Sequence, residues 1–299
     1  MVADLVPAAG AEPRPRGTQA PLNAASIAAL QRQSPLDALE TRILLSHVTG
    51  LSRMQLITHD EQVLTPAQSE TLQQLIRRRQ QGEPIAYLTG QREFYGLMLR
   101  VTPDVLIPRP ETELLVELAL ARLPAGGRVL DMGTGSGAIA VAIAHERPDA
   151  EVTALDVSPA ALAVAAENAG RRMSPIRFIE SDWYRALGEQ PAQNEPQSFD
   201  VIVANPPYIV AGDTHLAQGD LRFEPVNALT DHGDGLSALR TIIAGAPAHL
   251  RAGGWLLMEH GYDQAAAVRE LLELQGFREV RSWRDLAGIE RVSGGHLHP

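Results

Sequence analysis

Asn205-Pro206-Pro207-Tyr208 follows directly on an apolar run, Phe199 to Ala204. Consecutive prolines fix φ and remove two backbone donors, leaving rigid carbonyls available as acceptors. Such a corner suits an NH2 group with two hydrogens to donate. The Asn205 side-chain oxygen can take one and the Pro206 carbonyl the other. The nitrogen lone pair is then free to point at an electrophile. Tyr208 can lie against the flat face of a substrate and favour the positive charge that develops on that nitrogen. Asn205, Pro206 and Tyr208 are therefore the candidate catalytic residues. With Pro207 they form the candidate substrate-binding set. Alone, a Pro-Pro pair is most simply a turn; its company decides the reading.

That company is Asp131-x-Gly133-x-Gly135-x-Gly137, placed after the apolar run Val129-Leu130 and before a helical stretch. Glycines permit positive φ and let backbone approach a ligand closely. The third glycine comes one residue too early for the dinucleotide fingerprint G-x-G-x-x-G. Asp156 ends the next apolar run, 25 residues beyond Asp131. An acid about 20 residues on is the expected partner of ribose hydroxyls. A carboxylate placed just before Ser158-Pro159 would also suit a helix N-terminus. Ser181-Asp182-Trp183 closes a third run, where Asp182 could accept from an adenine amino group and Trp183 could stack on the base. Trp183 could equally belong to the core.

These residues need a frame that brings strand ends together. Strand candidates fall at 128–132, 151–155, 176–180, 199–204 and 254–259, and helices at 137–146, 159–170, 235–250 and 263–275. This alternation predicts a parallel sheet covered on both faces. Late strands near 277–283 and 290–293 could add an edge hairpin, and 184–198 reads as a surface loop. Upstream, Pro108 and Pro110 introduce a helix from about 111 to 123. Residues 84–108 carry Tyr, Phe, Gly and β-branched residues, consistent with a β-hairpin connector. Residues 22–82 read as a helical domain. Ser34-Pro35 is taken as one helix start, Gly50 as its end, and Thr65-Pro66-Ala67-Gln68 as a second start with a capping box. Residues 1–21, rich in Ala, Pro and Gly, read as a disordered tail.

Composition excludes several chemistries. The 299 residues contain no Cys, and every one of the 26 basic side chains is Arg. Thiol nucleophiles, Cys-ligated metal centres, Schiff-base lysines and a P-loop lysine are therefore absent. No H-E-x-x-H pattern occurs, and His296-Leu297-His298 reads as a loose tail, so no metal is expected. Net charge is −10, and all of it lies in residues 85–299, with 18 Arg against 28 acids. That acidic half disfavours stable nucleic-acid binding. The chain lacks a signal-peptide pattern at its start and any apolar run of the ~20 residues that span a bilayer, so it reads as cytoplasmic with no membrane association.

In this order, the glycine motif, Asp156, Ser181-Asp182-Trp183 and Asn205-Pro206-Pro207-Tyr208 resemble a class I S-adenosylmethionine-dependent methyltransferase acting on nitrogen. Four further segments narrow the likeness: Glu83 to Gly90, Leu106 to Glu113, Gly219 to Pro225, and Glu259-His260-Gly261. With these, residues 35–293 resemble the peptide chain release factor glutamine methyltransferases (the HemK/PrmC type). The resemblance implies an α/β fold: a Rossmann-like methyltransferase sheet at 111–299, a β-hairpin linker at 83–110, and a small N-terminal helical domain at 22–82 that reads the substrate. It implies that Gly133, Thr134, Gly135, Ser136, Gly137 and Asp156 bind S-adenosyl-L-methionine. Trp183 and Asn205 would also line that pocket, with S-adenosyl-L-homocysteine as product. The implied substrate is the glutamine of the Gly-Gly-Gln loop of class I peptide chain release factors. Two other readings stay open. One is a nucleic-acid amino methyltransferase, since a Pro-Pro-aromatic corner serves adenine as well as an amide. The other is a regulatory protein that keeps the cofactor pocket without catalysis. The resemblance assigns no roles to Arg109, Glu111, Glu113, Arg222 and Glu224. Linker salt bridges, a helix start or shaping of the pocket would each explain them.

Overall fold

Strands that are apolar on both faces must be covered on both. In the computed structural model, which describes residues 25–188 and 198–298, four such strands and a half-exposed edge strand form the parallel part of a seven-stranded sheet. The tail expected at 1–21 lies outside the described residues, as does most of the loop expected at 184–198. The described chain forms two compact units that divide between Arg77 and Arg78.

The first unit contains α1 (Ile27–Gln33), α2 (Ala38–Thr49), α3 (Arg53–Thr58) and most of α4 (Pro66–Gln80). Ile27, Leu30, Leu44, Leu45, Leu56 and Leu72 form its buried interior. Gly50 closes α2 with φ of 74°, and Thr65 and Gln68 exchange the two capping-box bonds at the start of α4. The start of α2 differs from the sequence expectation. Asp37 is its N-cap, accepting from the amides of Leu39 and Glu40 at 2.7 and 2.9 Å. Ser34 instead caps the end of α1 and accepts from Leu36 N and Thr41 Oγ1. Asp and Ser are both good caps, and only the preceding helix, which ends at Ser34, decides between them.

The second unit begins with α5 (Ile85–Thr89), then a hairpin of β1 (Gln91–Phe94) and β2 (Leu97–Arg100). Residues 85–89 are thus helical rather than part of the hairpin. Gly90, at φ 69°, stops the turn; a five-residue apolar run carries no period long enough to separate helix from strand. A 3-10 turn at Pro110–Thr112 leads into α6 (Glu113–Leu120). Then follow β3 (Arg128–Met132), α7 (Ala138–Glu146), β4 (Glu151–Asp156), α8 (Pro159–Arg172), β5 (Ile176–Glu180) and β6 (Phe199–Ala204). After α9 (Val226–Leu229) come α10 (Ser237–Gly245), β7 (Leu250–Glu259), α11 (Ala265–Leu274), β8 (Arg278–Arg284) and β9 (Glu290–His296).

Strand order is β5-β4-β3-β6-β7-β9-β8. The first five run parallel, and β9 and β8 join antiparallel as the expected edge hairpin. Side chains alternate between two cores. Val129, Val201 and Val203 pack on one face with Leu115 of α6 and Ile139 of α7. Leu130, Met132, Ile202 and Leu256 pack on the other with Leu239 of α10 and Leu272 of α11. Each such side chain contributes roughly 1.5–3 kcal/mol when fully buried. β7 begins four residues earlier than its apolar run suggests. Its pairing with β6 shifts register near Gly253-Gly254, and a Cβ on Gly254 would lie 3.0 Å from the Phe199 carbonyl. The glycines mark a bulge with close backbone approach, not a break. His296 ends β9 with its ring 5.3 Å from that of Trp255, so it is not part of a loose tail.

The order of strands reverses between β3 and β6. In open α/β sheets ligands bind in the crevice at the carboxyl ends of the strands flanking such a reversal.

Candidate active site

The glycine turn is built by Asp131. This carboxyl is fully buried at the end of β3 and accepts from Thr134 Oγ1 at 2.6 Å and from Ala140 N at 3.2 Å. Its Oδ1 has no hydrogen-bond partner, and burial pushes its pKa up to about 7. Gly133, Gly135 and Gly137 have φ of 70°, 54° and 81°. At Gly137 a Cβ would sit 3.0 Å from that of Ala165, so the residue also lets α7 and α8 approach. Asp156 closes the turn from β4. Its Oδ2 accepts from Gly135 N at 2.8 Å and its Oδ1 from Ser158 N at 2.9 Å. Asp156 therefore serves the start of α8 and the turn together, and each oxygen keeps a second lone pair. Burial raises its pKa.

Beyond β5, Ser181 Oγ donates to the Trp183 carbonyl at 2.6 Å and accepts from Ala186 N at 3.0 Å. Those bonds hold Trp183 at φ 49°, a region sparsely populated by bulky residues. Its ring is partly buried against the core and also faces the cleft beside Gly133. Asp182 next to it is exposed.

At the end of β6, the Asn205 Nδ2 donates to Thr112 Oγ1 at 3.1 Å. Thr112 in turn donates to Glu259 Oε2 at 2.7 Å, and Tyr208 OH donates to Glu259 Oε1 at 3.3 Å. Glu259 is fully buried, and burial lifts its pKa from 4.5 to about 7. Burial, followed by the charge of Glu259, also raises the Tyr208 phenol, which stays protonated. Gln264 pins the exit of the segment through a 3.0 Å bond from Nε2 to the Tyr208 carbonyl. Arg109 pairs with the buried carboxylate of Glu224, whose other oxygen accepts from Ile107 N at 3.1 Å. Glu113 accepts from Tyr95 N at 2.9 Å, tying the hairpin to α6. Arg222 donates to the Gln81 carbonyl.

The two motifs meet in one cavity of about 270 Å³ at the carboxyl ends of β3, β4, β5 and β6. Gly133, Gly135, Asp156, Asp182, Trp183, Asn205 and Pro207 line it. Other predicted residues stand behind its wall. Thr134 bonds Asp131, Ser136 offers its carbonyl to Asn168, Gly137 packs on Ala165, Pro206 is buried, and the Tyr208 hydroxyl turns to Glu259. Sequence reasoning assigned no role to Thr112, Glu259, Asn168 or Gln264. An acid ending the apolar run Leu256-Leu257-Met258 was the available signal for Glu259. Among the described residues no group of three His, Asp or Glu side chains could hold a metal ion, and no helix is long and apolar enough to cross a membrane.

The donor set suits a cofactor with a nucleoside part. Two glycines without side chains edge the cavity, a carboxylate with spare lone pairs is able to accept from ribose-type hydroxyls, and an indole offers a stacking surface.

Residues 22–90 match the family model described as PrmC N-terminal domain, and 110–234 the one described as Methyltransferase small domain. A release factor glutamine methyltransferase from Burkholderia pseudomallei is 58% identical over 281 residues, covering 91% of this chain and 96% of that protein. One of the same description from Escherichia coli is 47% identical over 261 residues, covering 87% and 92%. A crystal structure of a methyltransferase from Pyrococcus furiosus, 20% identical, superposes with a TM-score of 0.50 over 75% of this chain and 98% of its own, and so shares the fold.

Proposed function

Because the chain belongs to the release factor glutamine methyltransferase family, we propose that it transfers a methyl group from S-adenosyl-L-methionine to the side-chain amide nitrogen of the glutamine in the Gly-Gly-Gln loop of class I peptide chain release factors. It would do so in the cytoplasm and thereby modulate translation termination. The observation that carries this reading is that Gly135 and Asp156 line the same cavity as Asn205 and Pro207.

Bound in the cleft, the cofactor supplies an electrophilic methyl on a sulfonium. Gly133 and Gly135 would let backbone approach it, and Asp156 would accept from its ribose hydroxyls. Asp182 and Trp183 would hold its base. Thr134, Ser136 and Gly137 would keep the turn in shape. Asn205 would line this pocket as well as bind substrate. An amide nitrogen is a poor nucleophile because its lone pair is delocalised into the carbonyl. Hydrogen bonds from its two N–H groups to Asn205 Oδ1 and the Pro206 carbonyl would favour pyramidal character and aim the lone pair. Pro207 and Tyr208 would fix that corner. Alignment of this kind can supply roughly 7–11 kcal/mol. No strong base is needed before transfer, since the proton can leave afterwards to water.

The helical region 22–82 would read the protein around the target loop. The acidity of residues 85–299 favours a protein substrate over duplex nucleic acid. The test is transfer of labelled methyl to purified release factor, to a Gln→Ala version of its Gly-Gly-Gln loop, and to total nucleic acid. Label on the wild-type factor alone supports the reading. Label on nucleic acid would replace it with an adenine-type amino substrate.

A further inference from the structure

We propose that Thr112 and Glu259 are positioning residues that fix which way round the Asn205 carboxamide sits, so that its oxygen faces the reacting nitrogen. The inference rests on the amide-methylation reading above and names what makes Asn205 competent for it.

Above about pH 7 Glu259 is ionised, and an ionised carboxylate only accepts. Glu259 receives the Thr112 hydroxyl on Oε2 at 2.7 Å and the Tyr208 hydroxyl on Oε1 at 3.3 Å. Each hydroxyl has a single proton, so Thr112 has none left to give. The only group that Asn205 can turn toward Thr112 Oγ1, 3.1 Å away, is therefore its NH2. The carboxamide oxygen is left for the cleft, which Asn205 lines. With the amide reversed, an NH2 group would meet the substrate NH2 and both donors would be unpaired. Two residues separated from Asn205 by 93 and 54 positions thus set the polarity of the acceptor. The charged and titratable groups facing Glu259 are Tyr208, Arg291 of β9 and Glu111 of the 3-10 turn. Burial lowers the pKa of the neighbouring His260, which bonds the Gly261 carbonyl and Ser293.

Three variants test this: Thr112→Val, which keeps the shape and removes the hydroxyl; Thr112→Ser, which restores it; and Glu259→Gln. Steady-state kinetics on release factor are measured beside cofactor affinity by calorimetry and hydrogen exchange of the Asn205 carboxamide by nitrogen-edited NMR. The expected result for Thr112→Val is a kcat at least tenfold lower with cofactor Kd within twofold, and fast exchange of the Asn205 NH2. Thr112→Ser should stay within threefold of wild type, and Glu259→Gln should fall with Thr112→Val. Wild-type kcat in Thr112→Val, or equal damage in Thr112→Ser, would overturn the proposal. The exchange measurement needs no methyl transfer. An unprotected Asn205 NH2 in the wild type sinks the orientation lock, while a protected one in a protein that methylates nothing sinks only the activity reading.

Discussion

Asn168 Nδ2 donates to the Ser136 carbonyl at 2.8 Å, joining α8 to the glycine turn. The same side chain exchanges two bonds with the backbone of Arg100, at 2.7 and 3.0 Å, and so ties the hairpin to that turn. Asn168 is buried, so removing it strands three backbone partners. Asn168→Ala is expected to lose about 2–4 kcal/mol of stability and to weaken cofactor binding at least tenfold, read by urea unfolding and calorimetry. Unchanged cofactor affinity would show that the hairpin and the turn are independent.

Two glycines should respond in opposite directions. Gly137→Ala must place a Cβ at φ 81° and 3.0 Å from Ala165, and is expected to cost more than about 1 kcal/mol. Gly170 lies inside α8, exposed, with no atom within 4 Å of a Cβ. Gly170→Ala should be neutral or raise stability by up to about 1 kcal/mol. Thermal unfolding of the two variants side by side checks the contrast.

The pair of Arg109 with Glu224 is unequal in burial: the glutamate side chain is wholly buried and the arginine 29% exposed. Arg109→Ala leaves a buried carboxylate with only the Ile107 amide, and should cost about 3 kcal/mol. Combining Arg109→Met with Glu224→Leu should recover most of that loss. A double variant no more stable than Arg109→Ala would mean that the ion pair is not what holds this segment.

The pH dependences of turnover and stability should oppose each other at Glu259. Its folded pKa is raised from 4.5 to about 7, mainly by burial. Turnover needs the ionised form, so it should fall as pH drops below about 7, and the acidic limb should flatten in Glu259→Gln. For stability the folded state keeps a proton that the unfolded chain releases between about 4.5 and 7, so the stabilising contribution is complete below 4.5 and lost as pH rises to 7. Asp131, raised to about 7 by burial, acts in the same sense. Glu259→Gln should therefore gain stability over wild type at pH 8 and little at pH 5, measured by urea unfolding at both.

What the sequence made legible was local. A β-strand ending in Asn-Pro-Pro, and another ending in spaced glycines, announce themselves because proline and glycine restrict backbone in ways that few other contexts require. The parallel sheet followed from apolar runs alternating with helical spacing. What stayed hidden was non-local. Thr112 and Glu259 lie 147 residues apart and meet only because the 3-10 turn ahead of α6 lies against the carboxyl end of β7. Local signals also misled where two explanations shared a residue. Ser34 is a cap for α1 and not for α2, and Gly253-Gly254 is a bulge within β7 and not its boundary.

The most direct test is to locate the methyl group. Release factor is incubated with labelled S-adenosylmethionine and either wild-type enzyme or Asn205→Ala, and the modified peptide is sequenced by mass spectrometry. The expected result is label on the amide nitrogen of the Gly-Gly-Gln glutamine, reduced at least a hundredfold by Asn205→Ala in a protein that unfolds at the wild-type temperature. Label on any other residue, or near-normal turnover by the variant, would contradict it.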